Sequence, residues 1–163
     1  MKRTLATLVI GLSLLKGGMA GASAQDIEKG LEAAKKGDFA TALKEWRPLA
    51  EQGHARAQYN LGVMYHNGHG VVQDHEEAVK WYRLAAEQGA ADAQSNLAVL
   101  YGIGRGVVQD YVKAHMWSNI ASLNGITNAS ELRNLIGTRM NAAQIAEAQQ
   151  LARECVTKNY KGC

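Results

Sequence analysis

The sequence predicts an all-α protein built as an α-solenoid of antiparallel helix pairs, and three observations carry that expectation. Residues 38–73 and 74–109 repeat one another, with 20 identities in 36 aligned positions. A fixed period in this range marks supersecondary units that cannot bury their apolar faces alone and must stack. Within each unit apolar side chains recur at helical spacing, as Ala57, Leu61, Met64 and Tyr65 in one copy and Ala93, Leu97, Leu100 and Tyr101 in the next. Glycines then interrupt both copies at one place, Gly68-His69-Gly70 and Gly104-Arg105-Gly106, where a helix terminus often needs left-handed backbone.

Taken in order, the chain starts with Lys2 and Arg3, an apolar run from Leu5 to Leu15 and a small-residue stretch ending Ala22-Ser23-Ala24. This is the pattern of a cleaved secretory signal peptide over residues 1–24, with a mature chain from Gln25. The run is shorter than the ~20 residues of a spanning helix. Lys16, beside the run, leaves an uncleaved anchor as the alternative. The mature chain is predicted to be one domain over 25–163, without an integral membrane segment and located in the periplasm or outside the cell.

An N-terminal helix is expected from about Ile27 to Lys36, then a second from Phe39 to Gln52 with a kink or local break at Pro48. The units at 38–73 and 74–109 each hold an inner helix, a glycine-rich turn and an outer helix. Asp74 and Asp110 stand where N-caps belong, and Asp74 with Glu77 resembles a capping box. The second outer helix should run from His75 to Gln88 with Ala78, Trp81, Tyr82 and Ala85 inward; Ala114, Trp117 and Ala121 continue that stripe in a partial unit at 110–125. After Gly125 the period fails, since Arg133 and Gly137 stand where Leu97 and Tyr101 stood. Residues 126–163 are therefore expected to cap the open apolar end, with a final helix from Asn141 to about Lys158 whose stripe is Ile145, Ala148, Leu151, Ala152 and Cys155.

The formal charge of +3 resides in Lys2, Arg3 and Lys16, so residues 25–163 balance 15 basic against 15 acidic side chains. Neutrality gives no electrostatic reason to expect nucleic acid, whose binding depends on clustered Lys and Arg releasing counterions. The two cysteines, Cys155 and Cys163, are predicted to form a structural disulfide in an oxidising compartment. Closing so short a loop stabilises by about 2.5 kcal/mol at best. Free or redox-active thiols are the alternative, disfavoured by the lack of a Cys-x-x-Cys spacing.

Ala57-Gln-Tyr-Asn-Leu-Gly-Val-Met-Tyr65, Gly68-His-Gly-Val-Val-Gln-Asp74 and Ala78-Val-Lys-Trp-Tyr-Arg-Leu-Ala-Ala-Glu-Gln-Gly89 resemble the Sel1-like repeat, a 36-residue relative of the tetratricopeptide repeat. The likeness spans about 38–125. It implies a right-handed superhelix whose inner helices line a concave binding face, and an adaptor or scaffold role. Some cysteine-rich members are linked to β-lactams, but this chain lacks a cysteine pair in every repeat.

Several constellations invite a catalytic reading and do not sustain it. Gly102-Ile-Gly-Arg-Gly106 follows a predicted helix, whereas a dinucleotide loop follows a strand. His54, His66, His69 and His75 match no metal-ligand spacing, and the second unit replaces them with Ala90, Gly102, Arg105 and Tyr111. Glu76 and Glu77 suit a helix N-terminus. No enzyme, metal or cofactor is predicted.

Binding residues are sought where the two copies differ, because shared positions serve stacking. Arg56, Tyr59, Val63 and His66 share one helix face and correspond to Asp92, Ser95, Val99 and Gly102. An aromatic beside an arginine is enriched at interface hot spots. Arg56, Tyr59, Val63, His66, Asp92, Ser95 and Val99 are thus the expected contacts for a protein or peptide partner. Asn60 and Asn96, present in both units, are expected to hydrogen-bond between helices. The competing expectation is an envelope enzyme or a binder of cell-wall ligands such as peptidoglycan or a β-lactam-like molecule.

Overall fold

The computed structural model describes residues 17–163, with side chains from residue 24. The charged and apolar parts of the predicted leader lie outside the described residues. The described chain is helical throughout: α1 (Gly17–Lys35), α2 (Phe39–Glu51), α3 (Ala55–Asn67), α4 (His75–Ala86), α5 (Ala91–Ile103), α6 (Tyr111–Leu123), α7 (Ala129–Gly137) and α8 (Ala142–Thr157). From α1 to α7 each helix packs on its sequence neighbours, while α8 folds back onto α6. That nearest-neighbour pattern is the contact topology of a solenoid.

Aspartates start the outer helices. The Asp38 carboxylate accepts from the Thr41 amide at 3.1 Å, Asp74 from Glu76 and Glu77 at 2.9 and 3.0 Å, and Asp110 from Lys113 at 2.9 Å. Each bond satisfies an amide that the helix itself leaves without a partner. The expected capping box at Asp74 is only half made. The Glu77 carboxylate turns to Lys80 Nζ at 3.1 Å, while the Asp74 amide donates to the Tyr65 carbonyl at 3.0 Å. Nor does α2 break at Pro48, which lies in its last turn, where removing one amide donor interrupts little of the helix.

Inner helices end in left-handed glycines, Gly68 at φ 72° and Gly104 at φ 65°, as the punctuation predicts. The turns that follow dock on the first residue of the outer helix that precedes each inner helix. A Cβ on Gly106 would sit 2.2 Å from the His75 carbonyl oxygen, and one on Gly70 2.8 Å from Phe39 Cβ. Gly106 follows Gly70, and His75 follows Phe39, by one period, so the same joint is built twice.

The interior also repeats. Ala57, Leu61 and Met64 of α3 are buried with Ala42, Trp46 and Leu49 of α2, and Ala93, Leu97, Leu100 and Tyr101 of α5 are buried with Ala78, Tyr82 and Ala85 of α4 and Ala114 and Trp117 of α6. Each large apolar side chain contributes about 1.5–3 kcal/mol by leaving water. Buried amides form a second register: Gln58 Nε2 donates to the Ala50 carbonyl at 3.1 Å and Gln94 Nε2 to Ala86 at 3.2 Å. Gln88 Nε2 then donates to Gln58 Oε1 at 2.7 Å, and Asn124 Nδ2 to Gln94 Oε1 at 2.8 Å. These bonds let polar groups enter the core without losing their partners.

Five inward expectations need correction. Tyr65 is half-buried, its hydroxyl accepting from Arg47 Nη2 at 3.3 Å, and Trp81, Ile145 and Leu151 are also only half-buried. Asn60 Nδ2 is buried without a hydrogen-bond partner. Its counterpart Asn96 is half-buried and lies beside the phenols of Tyr59 and Tyr82, where it acts against burial to lower their pKa. One period before Tyr82 stands Trp46, whose indole N–H is committed to the Ile27 carbonyl at 3.2 Å and which has no acceptor to offer.

Beyond Gly125 the chain closes the stack differently. Helix α7 is short, and α8 starts with a reciprocal capping box between Asn141 and Gln144. Ala148, Ala152 and Cys155 are buried on its inner stripe. The Sγ atoms of Cys155 and Cys163 are bonded, with Cα atoms 5.7 Å apart. Inside that loop Tyr160, at φ 66°, lays its ring 3.3 Å from the position a Gly89 Cβ would take, and its hydroxyl donates to Asn124 Oδ1 at 3.1 Å.

Candidate functional site

The residues singled out on α3 share a helix but have different surroundings. Arg56 is exposed, with Nη1 2.6 Å from the equally exposed Glu28 of α1, a pair that water screens and that adds little stability. Tyr59 and Val63 are half-buried and pack toward the α4–α5 core. The Tyr59 ring lies 5.9 Å from that of Tyr82. Burial, reinforced by the Asp92 carboxylate, pushes the Tyr59 phenol above its usual range, against the lowering effect of Asn96. His66 ends the row, 5.1 Å from His75 and 6.4 Å from Tyr82 between ring centroids. Burial, His75 and Arg105 together hold the His66 imidazole below its ordinary pKa, so it is neutral at pH 7.

On α5, Asp92 is exposed, Ser95 half-buried and Val99 exposed. Val99 opens into a feature that the repeat pattern does not signal: a cleft of about 300 Å³ between α5 and α7. Ile103, Leu132, Leu135 and Ile136 line it, with Arg139 at its edge. Val99, Ile103 and Leu135 are 38, 55 and 64% exposed, an apolar strip facing water. Helix α7 packs chiefly on α6 and barely meets α5, so the two inner helices leave this gap.

Comparison with known proteins bears on what such a surface serves. The Sel1 repeat model matches residues 55–89 and 91–126. A Sel1 repeat protein from Oxalobacter formigenes superimposes with a TM-score of 0.64 at 32% identity, covering 71% of this chain and 90% of its own. The chain belongs to the Sel1 repeat family. A protective antigen present in uropathogenic Escherichia coli strains, displaying an SLR fold, gives a TM-score of 0.81 at 31% identity over 88% of this chain. An uncharacterized protein of Neisseria meningitidis serogroup B is 45% identical over 49 residues. The chain spans 32% of the antigen's length and 10% of the Neisseria protein's.

Sel1 repeats generally serve protein–protein interaction, and their proteins are typically non-catalytic scaffolds. In this Sel1 array the four histidines considered from sequence do not converge. His69 stacks on Phe39 at 4.4 Å, His54 is the N-cap residue of α3, and only His66 and His75 meet. Among the described residues no group of three or more His, Cys, Asp or Glu side chains is placed to hold a metal. No helix among the described residues is long and apolar enough to cross a membrane. The Cys155–Cys163 bond suits an extracytoplasmic compartment.

Proposed function

We propose that this Sel1 array captures a peptide or protein segment on its inner helices, in the periplasm or outside the cell, after removal of residues 1–24. The mature chain, 25–163, acts as one binding domain without catalysis. Arg56, Tyr59, Val63 and His66 of α3 and Asp92, Ser95 and Val99 of α5 form the polar and aromatic part of the surface, and the cleft between α5 and α7 forms its apolar end.

The observation that carries this reading is the water-facing strip of Val99, Ile103 and Leu135, which rims an open cleft instead of completing the core. An exposed apolar patch bordered by polar groups is the usual mark of an interaction site. A segment with two or three aliphatic side chains and polar flanks fits it, because Arg56 and Asp92 offer opposite charges along the same side.

Photo-crosslinking in intact cells tests the assignment, with the reactive side chain placed at Val99 or Ile103. The expected result is a discrete adduct, weakened by Leu135→Asp and by Tyr59→Ala and unchanged by a crosslinker at the outward Leu84. Equal crosslinking from Leu84 and Val99, or indifference to both substitutions, would refute the groove.

A further inference from the structure

Three places where the repeat period fails come together in one pocket. Helix α7 carries Arg133 where α5 has the core residue Leu97, and Gly137 where α5 has the buried Tyr101; α6 carries His115 where α4 has the buried Val79. All three line an open cleft of about 570 Å³ between α6, α7 and α8, together with Asn134, Thr138 and Gln149. Tyr101 fills the corresponding space one unit earlier, and its hydroxyl accepts from Arg83 Nη2 at 2.6 Å. At Gly137 no such ring exists, and a Cβ there would meet only His115 Cδ2, at 3.9 Å. No close contact accounts for the glycine; it leaves space.

The chemistry of the lining is one-sided. Arg133 is held by neutral acceptors, with Nη1 3.1 Å from Asn119 Oδ1 and Nε and Nη2 3.3 and 3.2 Å from Asn134 Oδ1. It has no carboxylate partner among the ion pairs of the described residues. Asn119 occupies the place of Arg83 one period on, so a cation has moved from the outer helix to the inner one and gained amide supports. His115 is 5% exposed, and its Nδ1 is buried with no hydrogen-bond partner. Leaving a buried polar atom unmatched costs about 1–3 kcal/mol. The Thr138 hydroxyl is committed to the Leu135 carbonyl at 2.7 Å, which leaves a fixed guanidinium without a counter-ion, the Cδ2 edge of the His115 imidazole and side-chain amides, with no acidic side chain in the lining, a setting that favours an oxyanion.

We propose that this cleft binds a small organic or inorganic anion, its carboxylate or phosphate oxygens received by Arg133 beside the His115 ring and its remainder lying against Thr138 and Gln149. The site is separate from the peptide groove. Arg133, Asn134, Gly137 and Thr138 lie on the α8 side of α7, whereas Leu132, Leu135, Ile136 and Arg139 face α5. Occupancy would tie α6, α7 and α8 together, the three helices that close the stack.

Titration of the purified mature chain followed by NMR tests this, at ionic strength held constant with chloride. Inorganic phosphate, succinate and glucose serve as phosphate, carboxylate and neutral probes. The expected result is a saturable shift at Arg133 and His115 with phosphate or succinate and none with glucose; whichever anion saturates lower identifies the preferred class. Arg133→Leu restores the residue of the preceding unit and should weaken binding at least about tenfold, a change of 1.4 kcal/mol, while the fold is kept. Gly137→Tyr refills the space without removing charge and should also abolish the shift. Linear, unsaturated shifts with both anions, or full binding by a folded Gly137→Tyr variant, would overturn the proposal. Loss of the peptide-groove adduct would leave this result untouched.

Discussion

Gly62 lies directly beneath the ring of Tyr82: a Cβ at this position would come 2.5 Å from Tyr82 Cδ1. One period later the pair is Ala98 and Ser118, where the larger residue on the inner helix is matched by a smaller one on the outer helix. The two helices thus meet at similar closeness by dividing the volume in opposite ways, as close-packed interiors require.

Gly62→Ala should therefore destabilise the chain by about 1–3 kcal/mol through overpacking. In the Gly62→Ala background, Tyr82→Ser should cost less than it does alone, with a coupling of about 0.5–3 kcal/mol. Urea denaturation of the four-member cycle checks this. Strict additivity would show that the two positions do not share one space.

The joint between the glycine turn and the outer helix makes a second test. Gly106→Ala should cost well over 2 kcal/mol, because its added carbon collides with the His75 carbonyl and no side chain can move aside. Gly53→Ala is the matched comparison. Its φ of 93° is strained for alanine, but nothing lies within 4 Å of the added carbon, so only the conformational penalty of roughly 1–2 kcal/mol remains. Equal losses in thermal unfolding would contradict the docked joint.

Acid should weaken the fold through two histidines. Burial and Arg133 lower the His115 pKa, and burial, His75 and Arg105 lower that of His66. A depressed imidazole pKa means that the unfolded chain takes up protons first as pH falls, so stability drops from the ordinary value of 6.5 downward to the folded-state pKa and levels off below it. His115→Val, the residue of the preceding unit, should flatten the decline in denaturation midpoint between pH 7 and pH 5. An unchanged slope would mean that other groups govern it.

The terminal loop offers a fourth. Reducing Cys155–Cys163 should lower stability by at most about 2.5 kcal/mol and release Tyr160 from Asn124. Hydrogen exchange should then accelerate over residues 158–163, with α3 and α4 unaffected. Unaltered exchange near Tyr160 would show that its seat does not depend on the bond.

The stacked architecture was legible because it is written twice. Helix ends at Gly68 and Gly104 and caps at Asp74 and Asp110 follow from local chemistry that needs no distant partner. The α5–α7 cleft was not legible, although Val99 on its rim was. Ile103 and Leu135 become a shared strip only through the placement of α7, which lies past the last periodic residue. The fate of Asn60 was hidden for a similar reason: it depends on Trp46 replacing a tyrosine in the previous unit. Arg133 and Gly137 were visible as failures of the period, but only the fold-back of α8 onto α6 gives those failures a common wall.

That fold-back has a genetic consequence. With the tail fastened over Gly89 and Asn124, a further duplicate appended after residue 125 would compete with α8 for the same seat. A new copy is therefore best accommodated between existing ones, where both of its faces find matching neighbours.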